Sequence, residues 1–194
     1  MNMNMKHILP ALAFAIMLPC AALAQEGDSY SETKLGLYAT ATEAHAMMET
    51  DPRAILIDVR DPSELMFTGA AEGLDIHVPW MVLDRSAFSA EKGVWPMKRN
   101  DGFEASVKAR LDALGVTPED TIIVMCRSGS SRSAPAADVI NAMGYTKVWS
   151  VTDGFEGGTL KEGTSKGVRA VDGWRNSGLP WSYKVDPGIA WTQE

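Results

Sequence analysis

The chain has 194 residues, a formal charge of −7 and 22% charged residues. That size suits one domain with a sizeable core. The acidic balance, with no basic stripe and no aromatic platform at regular spacing, argues against nucleic acid or an anionic membrane surface as partner.

Residues 1–24 read as an export signal. Lys6 and His7 form a short basic start, Ile8 to Leu18 is apolar, and Ala22-Leu23-Ala24 fits small-x-small cleavage before Gln25. The apolar run is too short to span a bilayer, and Pro19 before Cys20 replaces the small residue that lipidation prefers. The expected mature protein is periplasmic, carries no membrane segment after cleavage, and, having lost Lys6, moves from −7 to −8. With Cys20 removed, Cys126 is its single thiol. An exported chain with one cysteine has no internal disulfide to make, so that thiol is either inert or used.

Residues 25–37 read as a flexible leader and 38–194 as the domain. Thr42 is placed to cap a helix through Ala44, His45, Met47 and Met48 that ends at Asp51-Pro52. Ala54 to Asp58 is a continuous apolar run closing on an acid, as buried parallel strands are. Asp61-Pro62-Ser63-Glu64 is a helix start with proline in the first turn. Asp75 to Pro79 reads as a short strand. Phe103 to Leu114 is helical through Val107, Leu111 and Leu114, and Gly115 stops it. Thr121 to Met125 is a strand, Ala134 to Met143 a helix closed by Gly144, and Lys147 to Val151 a further strand. Two surface inserts are expected, near 86–100 and 156–172. Alternating strands and helices predict an α/β three-layer sandwich, with a mainly parallel central sheet flanked by helices.

Cys126 stands where a strand ends and a helix begins, opening Cys126-Arg127-Ser128-Gly129-Ser130-Ser131-Arg132-Ser133. Ligands gather at such carboxyl ends of strands. Loop N–H groups and a positive helix end stabilise a thiolate or a bound anion there. Two arginines add fixed charge, and Ser128, Ser130, Ser131 and Ser133 add hydroxyl donors. Cys126 is thus the candidate nucleophile and the rest of the loop the candidate anion site, with a bidentate role open to Arg127 or Arg132. Asp58 and Arg60 are expected to brace the loop as a buried pair. His77 reads as structural, and with His45 it makes no metal-ligand spacing, so no metal is expected. Arg169 and Lys166 are expected to be solvated, adding positive charge at the site only if the second insert folds over it.

The chain resembles the rhodanese-like superfamily, as a single-domain, exported, sulfurtransferase-like member. The resemblance rests on Leu56-Ile57-Asp58-Val59-Arg60 with Glu64, on Ile76-His77-Val78-Pro79, on Cys126-Arg127-Ser128-Gly129 with Arg132-Ser133, and on Gly154-Phe155, Gly173-Trp174 and Gly178-Leu179-Pro180. It implies sulfur transfer without a cofactor. A small sulfur-containing anion such as thiosulfate donates a sulfane sulfur to Cys126, and the persulfide passes it to cyanide, a thiol or a protein acceptor. Most single-domain relatives of this kind have one residue fewer between the cysteine and the next arginine. The Cys-x5-Arg spacing here is also that of cysteine phosphatases and arsenate reductases, so those substrates remain open. A third reading is a persulfide carrier or anion-binding module docking through the inserts and an exposed tryptophan-rich tail.

Overall fold

The structure is a computed structural model and describes residues 31–192. The expected export signal and cleavage point therefore lie outside the described residues. Among those described, no helix is long and apolar enough to cross a membrane.

The centre is a five-stranded parallel sheet in the order β1 (Tyr38–Ala39), β8 (Val148–Val151), β7 (Ile122–Met125), β2 (Ile55–Asp58), β4 (Ile76–His77). The apolar runs predicted as buried strands are β2 and β7, paired in register from Ile55 with Ile122 to Asp58 with Met125. Strand periodicity sends alternate side chains to opposite faces. Ile122, Val124 and Cys126 join one buried cluster, with residues of α3 (Phe103–Ala113) and α4 (Ser133–Ala142). Leu56, Ile123 and Met125 join the other, with Ala41 and Ala44 of α1 (Ala41–Thr50) and Leu65 of α2 (Pro62–Thr68). A three-layer α/β sandwich results, as expected.

Local chemistry sets the helix starts. Asp61 caps α2 in a reciprocal box with Glu64, and Pro62 sits in the first turn. The cap of α1 is Thr40, not Thr42: Thr40 Oγ1 accepts from the Glu43 N–H, and the Glu43 carboxylate accepts from the Thr40 N–H. The correction follows from spacing, because only Thr40 has a carboxylate three residues on.

Two small sheets decorate this frame. β5 (Met81–Leu83) and β6 (Met97–Arg99) form an antiparallel hairpin, and its far end is the first insert. β3 (Ala70–Ala71) pairs with β9 (Trp181–Ser182). The second insert is pinned by a bridge between Thr159 and Arg169 and by Asp172 Oδ1, which accepts from the Gly158 N–H at 2.6 Å. Residues 31–37, the described end of the expected leader, touch the domain at both ends. The Ser31 N–H and hydroxyl donate to the Ser130 carbonyl, the Lys34 N–H donates to Asp138, and the Leu37 carbonyl accepts from Ser150 N–H.

The tail is not the exposed aromatic surface that its sequence suggests. Trp174 is fully buried with its indole N–H on the Pro180 carbonyl, and Trp181 and Trp191 are half-buried against the two clusters. Among the described tryptophans, the exposed one is Trp95, in the hairpin insert.

Candidate active site

β7 delivers Cys126 to the carboxyl edge of the sheet, and the chain turns through residues 127–132 into α4. Two glycines make the turn possible. Gly129 has φ +72°, and a Cβ there would lie 1.9 Å from the Thr152 carbonyl oxygen. Gly154 has φ +64°, and a Cβ there would lie 2.6 Å from both the Cys126 oxygen and the Ser128 nitrogen. Neither position accepts a side chain without moving the loop.

The loop is fastened by its carbonyls. Those of Cys126 and Arg127 accept from the Phe155 and Glu156 N–H groups, each at 2.8 Å, that of Ser130 from Ser31, and that of Arg132 from Ala136. The backbone N–H groups of Arg127 to Arg132 have no protein acceptor among the described residues. No side chain caps α4, so its first N–H groups add to this run of free donors. The strand-to-helix junction therefore presents backbone N–H groups that no described residue accepts from.

The thiol itself is deeper than the sequence suggested. Cys126 is 1% exposed and belongs to the apolar cluster under α3 and α4. Its surroundings are nonetheless partly polar. Sγ lies 3.7 Å from Ser133 Oγ, which accepts from Ser150 Oγ at 3.1 Å. The alternative acceptors for the Ser133 proton, the Gly129 and Val151 carbonyls, are distant at 3.4 and 3.5 Å. That leaves the hydroxyl free to turn its proton toward a thiolate.

On the outer side of the loop lies a cavity of about 420 Å³, lined by Arg127, Ser128, Ser130, Ser131 and Arg132 and facing α2 and the hairpin. Gly129, Ser133 and Cys126 are not among its lining residues. The predicted site residues thus divide into donors facing the cavity and a thiol with its serine behind them.

Both loop arginines are held by carboxylates that sequence reasoning did not pair with them. Arg132 grips Glu64 with both ends of its fork: Nη2 donates to Oε1 at 2.8 Å and Nη1 to Oε2. Arg127 Nε donates to Glu156 Oε2 at 2.6 Å, and Arg175 takes the other Glu156 oxygen at 2.9 Å. Burial works against the charge on Arg132. The Glu64 carboxylate outweighs it, and the guanidinium pKa ends above its ordinary value. Glu64 was legible as a helix cap and as the trailing acid of the Asp58-Val59-Arg60 motif, but not as the partner of Arg132, and nothing in the sequence marked Glu156.

Asp58 and Arg60 form a fully buried forked pair. Arg60 also donates to Thr68 Oγ1 at 2.8 Å and to the Gly69 carbonyl at 2.9 Å, and it lies 4.0 Å over the Phe155 ring. The pair meets the active loop through Phe155, whose N–H holds the Cys126 carbonyl. His77 is structural: Nε2 bonds the Arg60 carbonyl at 2.9 Å and Nδ1 accepts from the Trp191 N–H. His45 packs edge-on against Trp174. Arg169 does reach the cavity, anchored on the Gly157 carbonyl, as an insert folding toward the site requires.

Comparison with known proteins agrees with this geometry. Rv0390 from M. tuberculosis, a solved structure, matches with a TM-score of 0.56 and 31% identity, over 80% of this chain and 100% of that one. An uncharacterised protein of Rickettsia rickettsii is 27% identical over 145 residues, 74% of this chain and 94% of the relative. The chloroplastic thylakoid rhodanese-like protein of Oryza sativa subsp. indica is 25% identical over 147 residues, 76% of this chain but 25% of that longer protein. The family model for the rhodanese-like domain matches residues 40–161, which contain β2, the whole active loop and Gly154. With the Cys126 loop at the carboxyl edge of a parallel sheet, this chain belongs to the rhodanese-like domain family.

Proposed function

We propose that the protein is a periplasmic sulfurtransferase with Cys126 as nucleophile and sulfur carrier. The observation that carries this reading is the run of free backbone N–H groups from Arg127 to Arg132, one turn of chain beyond the single cysteine of the described domain. Such donors stabilise an oxyanion on a donor molecule and the charge that develops on its leaving group. The Cys126 thiolate attacks the terminal sulfur of thiosulfate. A new S–S bond forms on Cys126, the bond to the sulfonate sulfur breaks, and sulfite leaves with the electron pair. Cyanide or a thiolate then attacks the outer sulfur and returns Cys126 as thiolate. No proton transfer is needed once the thiolate is formed, which suits a site whose nearest polar partner is the Ser133 hydroxyl.

The Cys-x5-Arg spacing supports a second reading, a phosphatase or arsenate reductase using the same thiolate, and Ser133 directly after Arg132 suits either chemistry. Intact mass after incubation with thiosulfate separates the readings. A gain of one sulfur atom, lost in Cys126→Ser, supports sulfur transfer. Release of phosphate from an aryl phosphate with no sulfur gain favours the second. Sulfur gain with negligible turnover on cyanide and small thiols makes the protein a persulfide carrier.

A further inference from the structure

The cavity above the loop is larger and less polar than a small inorganic donor requires. An anion the size of thiosulfate fills on the order of 100 Å³, taking a water-like share of volume for each atom group. The cavity measures about 420 Å³, within the range of roughly 300–1,000 Å³ typical of pockets for organic ligands. Its two sides differ in chemistry. One is the loop, with its hydroxyls and guanidinium groups, together with Asp61, Ser63 and Glu64 at the start of α2, whose carboxylates are already bonded, Glu64 to Arg132 and Asp61 to the Ser63 and Leu83 N–H groups. The other is the β5–β6 hairpin, which contributes Met81, Leu83, Trp95 and Met97.

Among the described residues, that apolar wall is partly open to solvent. Trp95 is 53% exposed and Leu83 37%. The wall is nevertheless built. Leu83 pairs across the hairpin with Met97, and the Trp95 ring is held edge-on by Phe88 at 5.0 Å. The root of the hairpin is clamped by Arg99, whose guanidinium lies 3.2 Å over Trp80 and donates to the Trp80 and Asn100 carbonyls. A fixed aromatic and thioether face opposite a row of anion donors matches a ligand that is apolar at one end and anionic at the other.

We propose that the sulfur donor is an organic sulfane compound, with its apolar body on Trp95, Met81 and Met97 and its anionic head on the loop. This rests on the sulfurtransferase reading and narrows it. For a thiosulfonate, the Cys126 thiolate attacks the terminal sulfur, the bond between that sulfur and the sulfonyl sulfur breaks, and the organic sulfinate leaves with the electron pair. The persulfide is the same as that formed from thiosulfate, and no outside oxidant or reductant is needed.

The test compares benzenethiosulfonate with methanethiosulfonate, with cyanide as acceptor, in wild type, Trp95→Ala, Trp95→Phe and Met97→Ala. Wild type is expected to prefer the benzene donor at least tenfold in kcat/KM. Trp95→Ala should reduce that preference about tenfold, the effect of losing one ring face of apolar contact, and Trp95→Phe should keep most of it. A wild-type preference near unity, or one that survives both alanine substitutions, overturns the proposal. Benzenesulfonate and methanesulfonate, which carry no transferable sulfur, make the two possible failures distinguishable. Their relative power to protect Cys126 from alkylation reads the apolar wall without any transfer. If benzenesulfonate protects better in a Trp95-dependent way but no donor sulfurates Cys126, the wall is confirmed as a ligand site and the transfer chemistry is refuted.

Discussion

Replacing Glu64 by Gln separates the two roles available to Arg132, holding the fold and holding an anion. The side chains of Arg132 and Glu64 are only 10% and 17% exposed, and the pair is doubly bonded. Gln keeps the length and keeps an oxygen for the Asp61 N–H, so the cap of α2 survives. It removes the charge and turns an NH₂ toward the guanidinium. Breaking one side of a largely buried, charge-assisted pair costs about 2–3 kcal/mol. In a domain of this size each kcal/mol moves Tm by about 2–4 °C, so a fall of about 4–12 °C is expected. Anion binding should move the other way. An anion on the far side of the same guanidinium lies roughly 6 Å from the Glu64 carboxylate, a repulsion of about 1–3 kcal/mol at an effective dielectric of ~20–40. Relief of part of that repulsion tightens sulfate binding about tenfold at low salt. The assay is protection of Cys126 from iodoacetamide by sulfate, run beside a thermal scan. If Tm falls as expected while the half-protecting sulfate concentration is unchanged, Arg132 does not face the bound anion and its role is structural alone.

Three further outcomes follow from the same contacts. Gly154→Ala places a methyl 2.6 Å from the Cys126 oxygen at a left-handed φ; the combined strain and clash cost about 3 kcal/mol or more, and sulfur uptake, read by intact mass, should fall further than Tm predicts. Ser133→Ala removes the hydroxyl beside Sγ and strands the Ser150 hydroxyl in the core, at a cost of about 1–3 kcal/mol. Its alkylation profile should move to higher pH, and adding Ser150→Ala should restore part of the stability in a double-mutant cycle; additive losses would show that the two hydroxyls are not coupled. Burial holds the His77 pKa below its usual 6.5, against the pull of Asp58. As pH falls, the unfolded chain therefore takes up this proton first. The stability that the neutral ring contributes is whole above about 6.5 and drains below it, by at most about 1.4 kcal/mol per pH unit. Urea titrations from pH 7 to 5 should show a flatter slope for His77→Gln than for wild type, and equal slopes would rule out His77 as the titrating group.

Apolar runs and helix-boundary signals in the chain made four of the five strands of the central sheet and the four helices legible. Continuous apolar runs at Ile55–Asp58 and Ile122–Met125 call for burial on both faces, as in a covered parallel sheet, although length alone did not exclude a buried helix. The same runs fixed which residue ends at the carboxyl edge, so Cys126 and its loop were legible by position. The two-residue strands β1, β3 and β9 left no such trace, because their pairing depends on what lies beside them rather than on their own pattern. The capping-box spacing of Thr40 with Glu43 was also present in the chain, although the helix start was expected at Thr42. What only the tertiary structure decided is how the charges and surfaces meet. Glu64 and Glu156 reach the loop arginines from 68 and 29 residues away, the hairpin brings Trp95 to the cavity, and the turn of the loop puts its carbonyls on the protein and leaves its N–H groups free. Those are relations between segments distant in sequence, set by how the layers pack, and no local pattern of residues encodes them.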